Sequence, residues 1–203
     1  MIFFLYSEIQ YVKRYGKLND DKGIYIVNQN KKGEYERTGQ KLGNSMTENS
    51  FFGDNGKVVK GAVINPNDQS GQRFIDSEIK GKTHNIVIYA IKARNGEKYE
   101  YDFKDRNIKK RGDQTKDQYR YRGMPVENSN GETEYASGRD IGNYGARYVA
   151  GKNGLRWNVA RLGFDLYQSY KNGQWSVEGQ TTQKAERAGY DAGIRIYFGT
   201  KKK

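Results

Sequence analysis

The sequence predicts an α+β chain: N-terminal β-hairpins forming a small antiparallel sheet, followed by two to three C-terminal helices. Three observations predict it. Up to Ser137 the apolar residues alternate, or cluster in short runs bounded by turn residues. Beyond Ser137 they recur at helical spacing. The two patterns follow one another instead of interleaving, which separates this class from a βαβ succession. A length of 203 residues suits one domain, or one domain with a smaller appendage. These patterns divide the chain into a β-rich linker segment, 1–80, and an α+β domain, 81–203.

The elements follow in order. Residues 1–16 are apolar-rich and compatible with strand or helix. KGIYIVNQNKKGEYERT (22–38) reads as a hairpin, with Ile24, Ile26 and Val27 in one strand, NQNKKG as the turn and 34–38 returning. The turn-rich stretch 38–71 holds short strands near Ser50–Phe52 and Val58–Ile64. SGQRFIDSEI (70–79) reads as a short helix capped by Ser70. NIVIYAIKA and EKYEYDF, within 84–107, flank Asn95-Gly96, a strong hairpin signal. Residues 104–122 form a polar, basic link, with Tyr119 to Arg122 in a strand. MPVENSNGETEYA (124–136) gives a second turn with a short strand. Helices follow at about 139–151, 155–171 and 181–189, the last ended by Gly189. Tyr190, Ile194, Ile196 and Tyr197 then suit a final strand.

The glycine-rich helix, RDIGNYGARYVAG (139–151), separates into three faces. Ile141, Tyr144 and Tyr148 make an apolar stripe. Gly142, Ala146 and Ala150 make a smooth strip that another backbone or a ligand can approach closely. Asp140, Asn143 and Arg147 make a polar strip. For Asp140 the bland reading is a helix cap, and for Arg147 a surface charge. Gly154 suits a C-cap with positive φ. In the second helix Leu155, Val159, Leu162 and Leu166 make the core face, widened by Trp157, Ala160 and Phe164. Asn158, Arg161 and Asp165 make its polar strip, and the bland reading of Arg161 with Asp165 is a surface ion pair.

Composition bounds the function. Hydrophobic residues make up 34%, and 17 tyrosines supplement that modest core. Net charge is +12. Residues 101–203 carry 20 Lys/Arg against 12 Asp/Glu, and residues 1–100 carry 16 against 12, so the excess lies mainly in the second half. Such a balance attracts polyanions: nucleic acid, an anionic membrane or an acidic protein. There is no cysteine, so neither a disulfide framework nor a thiolate metal site is available. MIFFLYSEIQ does not read as a signal peptide, and no stretch approaches the ~20 apolar residues of a membrane span. His84 is the one histidine, which excludes a histidine-pair ribonuclease mechanism. It remains a candidate general base, against a structural role at the start of a strand. Phosphate-binding, dinucleotide and zinc-protease motifs are absent, and no cofactor or metal is expected.

Four stretches together carry a resemblance: YRYRGMPV (119–126), DIGNYGARYVAG (140–151), LRWNVARLGFDLYQSYKNG (155–173) and TTQKAERAG (181–189). They resemble the C-terminal toxin regions of RHS-type polymorphic toxins, and within those the bacterial toxin 44 family, over roughly residues 84–197. GDNGKVVKGAVINPNDQSGQRFID (53–76) resembles the linker between an RHS shell and its toxin tip. Tyr stands in NGEKYEYDFKDRN (95–107) where the family pattern has Trp in a Gly-Gly-x-Trp-Asp-like element. The resemblance implies a secreted effector tip, monomeric when released and delivered to the cytoplasm of a competing cell. It implies a cognate acidic immunity protein and a nuclease activity on RNA. On that reading Lys109, Lys110, Arg111, Arg120 and Arg122 hold phosphates, while Tyr119 and Tyr121 stack unpaired bases. Arg147 and Arg161 stabilise the developing phosphorane charge, and His84, or Asp140 with Asn143, positions or activates the 2′-hydroxyl. The alternative is a non-nucleolytic module that binds a protein target or an anionic membrane through the glycine helix.

Overall fold

The computed structural model describes residues 3–5, 22–33, 35–53, 55–59, 62–83, 85, 116–128, 130–161 and 180–201. The expected hairpin over 84–107 lies outside these residues, apart from Asn85. The α+β arrangement is observed. Two compact units divide the chain: Met1–Phe74 with Phe103–Arg139, and Ile75–Asp102 with Asp140–Lys203.

The first unit is built on a five-stranded sheet. Its strands are β1 (Phe3–Leu5), β2 (Gly23–Gln29), β3 (Tyr35–Ser45), β4 (Gly123–Glu127) and β5 (Thr133–Ser137), in the order β1-β2-β3-β5-β4. The hairpin expected over 22–38 is present as β2 and β3, turned at Asn30–Gly33 and continued to Ser45. A second hairpin joins β4 to β5, with Asn128 Oδ1 accepting the N–H groups of Asn130 and Glu132 in its turn. The sheet is mixed, not purely antiparallel. Each hairpin is antiparallel within itself, but they meet through β3 and β5 in parallel, Asn44 against Glu134 and Ser45 against Tyr135. β1 also lies parallel to β2.

Over this sheet sits a cluster of Ile24, Phe51, Phe52, Ile64 and Tyr135, with Leu42 and Val58 packed against it. The short strands expected in 50–64 are single bridges, Phe52 with Val58 and Ile64 with Gly123. α1 (Ser70–Phe74) packs on β4, where the Glu127 N–H donates to Gln72 Oε1 at 2.8 Å. Ser70 is its first helical residue, not its cap. The Ser70 N–H donates to Asp68 Oδ1 (2.9 Å), and the Gln69 carbonyl accepts the first helical bond, from Arg73. The chain then continues as a π-helix, Ile75–Lys80.

Tyr119 to Arg122 is not a strand. α2 (Lys116–Arg120) ends there, the Tyr121 N–H donating to the Asp117 carbonyl, and β4 begins only at Gly123.

The second unit is helical where it is described. α3 (Gly138–Lys152) closes in a glycine cap at Gly154, φ 73°, with Gly154 N–H on the Gly151 carbonyl and Leu155 N–H on the Ala150 carbonyl. Residues 157–161 are helical (α4), and the remainder of the helix expected over 155–171 lies outside the described residues. α5 (Gln180–Lys201) is one continuous helix. Gly189 therefore does not end it, and the expected strand over 190–197 does not exist.

Close packing explains that glycine. A methyl group at Gly189 would overlap the Tyr144 carbonyl, one at Gly193 the Tyr148 carbonyl, and one at Gly151 the Tyr190 carbonyl. The numbers on both helices rise together, so α3 and α5 run parallel, backbone against backbone. The smooth strip expected around Gly142 is displaced: a methyl there would meet nothing within 4 Å. Close approach occurs through Gly151 and the two glycines of α5. The apolar stripe of α3 is buried as its spacing predicts, Ile141, Tyr144 and Tyr148 each at 8% exposure or less.

Candidate nucleic-acid interface

The polar strip of α3 carries the residues first in line for chemistry. Ser137 directly precedes the helix and takes the cap position, so Asp140 lies three residues further in, within the first turn. An acidic residue in that turn interacts favourably with the positive end of the helix. Asp140 is fully buried, and so is Arg147, two turns on. Asn143, between them on the same edge, is half-buried. Arg147 is not a surface charge: its Nη2 lies 2.6 Å from Glu186 Oε1 of α5, with side-chain exposures of 0% and 4%. Glu186 was not singled out by the sequence. The signal that finds it is its place next to Ala185 in the small-residue row Ala185, Gly189, Gly193, which faces α3.

Arg161 is half-buried at the described end of α4. His84, Lys109, Lys110 and Arg111 lie outside the described residues. Tyr119, Arg120, Tyr121 and Arg122 are gathered where α2 meets β4. Both rings are buried, and the chain's own arginines stack on them. The Arg122 guanidinium lies 4.0 Å over Tyr119, and those of Arg120 and Arg139 lie 5.3 and 5.0 Å over Tyr121. Arg139 further donates to the carbonyls of Phe52 (3.1 Å) and Asn49 (2.9 Å), and Arg122 lies 3.9 Å from Asp68. These contacts tie the 49–52 turn to Arg139 and bring Asp68, just before α1, close to Arg122.

A different arginine–aromatic group reaches the surface in the helical unit. On α5, the Arg187 guanidinium lies 4.9 Å over the half-buried Trp157 ring and 5.7 Å from Tyr190. Trp157 meets Tyr190 edge-on, centroids 5.2 Å apart, and the Tyr190 hydroxyl donates to the Leu155 carbonyl at 2.8 Å. Arg187 Nε is held by both oxygens of Asp191, at 3.0 and 3.1 Å. Arg156 beside Trp157 and Lys184 one turn before Arg187 are exposed. The local helix explains the placement. In α4 the buried residue is Ala160, whereas Val159, expected in the core, is 51% exposed. The sequence placed Trp157 on the margin of a core face, and pairing with Arg187 needed the path of α5.

Among the described residues no group of three His, Asp or Glu is disposed to hold a metal ion. No described helix is long and apolar enough to cross a membrane. No protein-family model matches this chain, and neither a curated protein nor a solved structure is significantly similar to it.

Proposed function

We propose that this chain is the C-terminal effector domain of a secreted RHS-type polymorphic toxin, a nuclease acting on RNA in a competing cell and neutralised at home by an acidic immunity protein. The observation that carries the reading is the polar edge of α3. Asp140 and Arg147 are both fully buried, and Arg147 is fixed by Glu186. Buried charge is costly compared with apolar packing and clusters where a protein does chemistry. Asn143 lies between them with partial access to solvent. It is the member of the strip that a phosphodiester reaches, with Asp140 and Arg147 acting on it from the interior. The net charge of +12 supports a polyanionic substrate.

Induced expression without an immunity protein is expected to arrest growth and degrade RNA. Asn143→Ala is expected to abolish RNA decay with an unchanged unfolding midpoint. Growth arrest with intact RNA would remove this reading. A second reading, docking without cleavage, has its own observation: Ile196 and Phe198 are 44% and 57% exposed beside the exposed Arg195. Leakage of anionic liposomes together with intact RNA would select it.

A further inference from the structure

We propose that Trp157 and Arg187 form a stacking site for an unpaired nucleobase, with Arg156 holding a flanking phosphate of a single strand. The inference deepens the RNA reading by naming where the strand is held, and it rests on that reading for its biological substrate.

Four features converge. First, Trp157 is half-buried, and its edge contact with Tyr190 holds the ring in place. A fixed aromatic ring loses little conformational freedom when a base lands on it. Second, Arg187 continues the stack with a planar cation. Its side chain is 52% exposed, and its Nε is occupied by Asp191, which leaves its two terminal amino groups to meet a phosphate or a base edge. Third, Arg156, next to Trp157 in sequence, is exposed, as is Arg187 itself. Fourth, Tyr119 and Tyr121, the rings first expected to stack bases, are 5% and 1% exposed, whereas this ledge belongs to the surface. A duplex hides its base faces, so the ledge selects single strands, and since every base has a π-face it does so with little sequence preference.

The chain contains two tryptophans, so the full chain with Trp175→Phe reports on Trp157 alone. Oligothymidylate is the probe, because it lacks the 2′-hydroxyl and survives a ribonuclease that needs one. Titration is expected to quench Trp157 emission saturably. An abasic strand with the same number of phosphates is expected to bind at least about fivefold more weakly and to quench little. Trp157→Leu is expected to weaken anisotropy-detected binding about tenfold, and Trp157→Phe to retain most of it. Equal binding of the abasic strand, absence of quenching, or full affinity of Trp157→Leu overturns the inference. The two readings fail separately. Quenching by oligothymidylate alongside intact cellular RNA removes the nuclease and keeps the stacking site. RNA decay without quenching does the reverse.

Discussion

Arg147 and Glu186 are sealed together, and neither tolerates losing the other. Removing one partner of a buried ion pair costs about 3–5 kcal/mol, because the survivor stays charged out of water. Arg147→Met and Glu186→Leu are each expected to lose that much unfolding free energy in urea, and the double variant less than the two losses combined. Simple additivity would mean the pair is not coupled. Tyr144, on the same helix, has its phenol pushed up to about 12, chiefly by burial, then by Tyr148 and Asp76, against the opposing charge of Arg195. An unfolded tyrosine ionises near pH ~10. The contribution of Tyr144 is therefore complete below that pH and is lost as pH rises toward 12. Tyr144→Phe is expected to move the alkaline unfolding midpoint upward in a circular-dichroism titration. The i, i+3, i+7 spacing made the strip of Asp140, Asn143 and Arg147 legible in the sequence. Glu186 was not legible, because a glutamate on a helix reads as solvated until a second helix is known to pass over it.

Among the helices, glycines of similar sequence context have opposite roles. Gly142 lies inside α3 with open space where a methyl would go, so Gly142→Ala is expected to raise stability by about 0.5–1 kcal/mol. Gly193→Ala places a methyl into the Tyr148 carbonyl, which belongs to a helix backbone and cannot turn aside. A loss of about 1–3 kcal/mol or more is expected, read in the same urea titration. The sequence taken alone assigned these roles in reverse, reading Gly142 as the place of close approach and Gly189 as a helix end. Periodicity reports which residues share a face; it does not report which face meets a neighbour. The β4–β5 hairpin carries a pH signature. Burial raises the Glu134 carboxyl above its ordinary range, against the Asn128 hydrogen bond and the charge of Lys22. The folded state thus favours the protonated form, and stability linked to this group falls as pH rises through the carboxylate range. Glu134→Gln is expected to raise Tm at about pH 7 and to leave it unchanged at about pH 3.

Across the whole chain, charge governs what salt does. A strand held through several cations releases counterions, and log affinity falls with log salt at about −0.7 per neutralised phosphate for single strands. Arg156→Gln is expected to flatten that slope by less than one unit while leaving Tm unchanged; an unaltered slope would place the phosphates elsewhere. The α+β class and the first hairpin were readable because short alternating runs and an extended helical run answer to different periods. The parallel contact between β3 and β5 was not readable. It involves two pairs of residues brought together from distant parts of the chain, and no local pattern encodes such a meeting.

The parallel course of α3 and α5 also has a consequence in time. Parallel neighbours cannot be joined by a tight turn, so a long crossover has to be synthesised before the second helix exists. Glu186 emerges about 40 residues after Arg147, which at ~5–20 residues per second is a delay of seconds. Throughout that interval a nascent chain carries α3 with its guanidinium still in water. Released chains truncated before Glu186 are expected to exchange the amide hydrogens of α3 freely, and chains extended past Gly193 to protect them. The helical unit is thus assembled from its last segment, and synthesis itself sets when its interior closes.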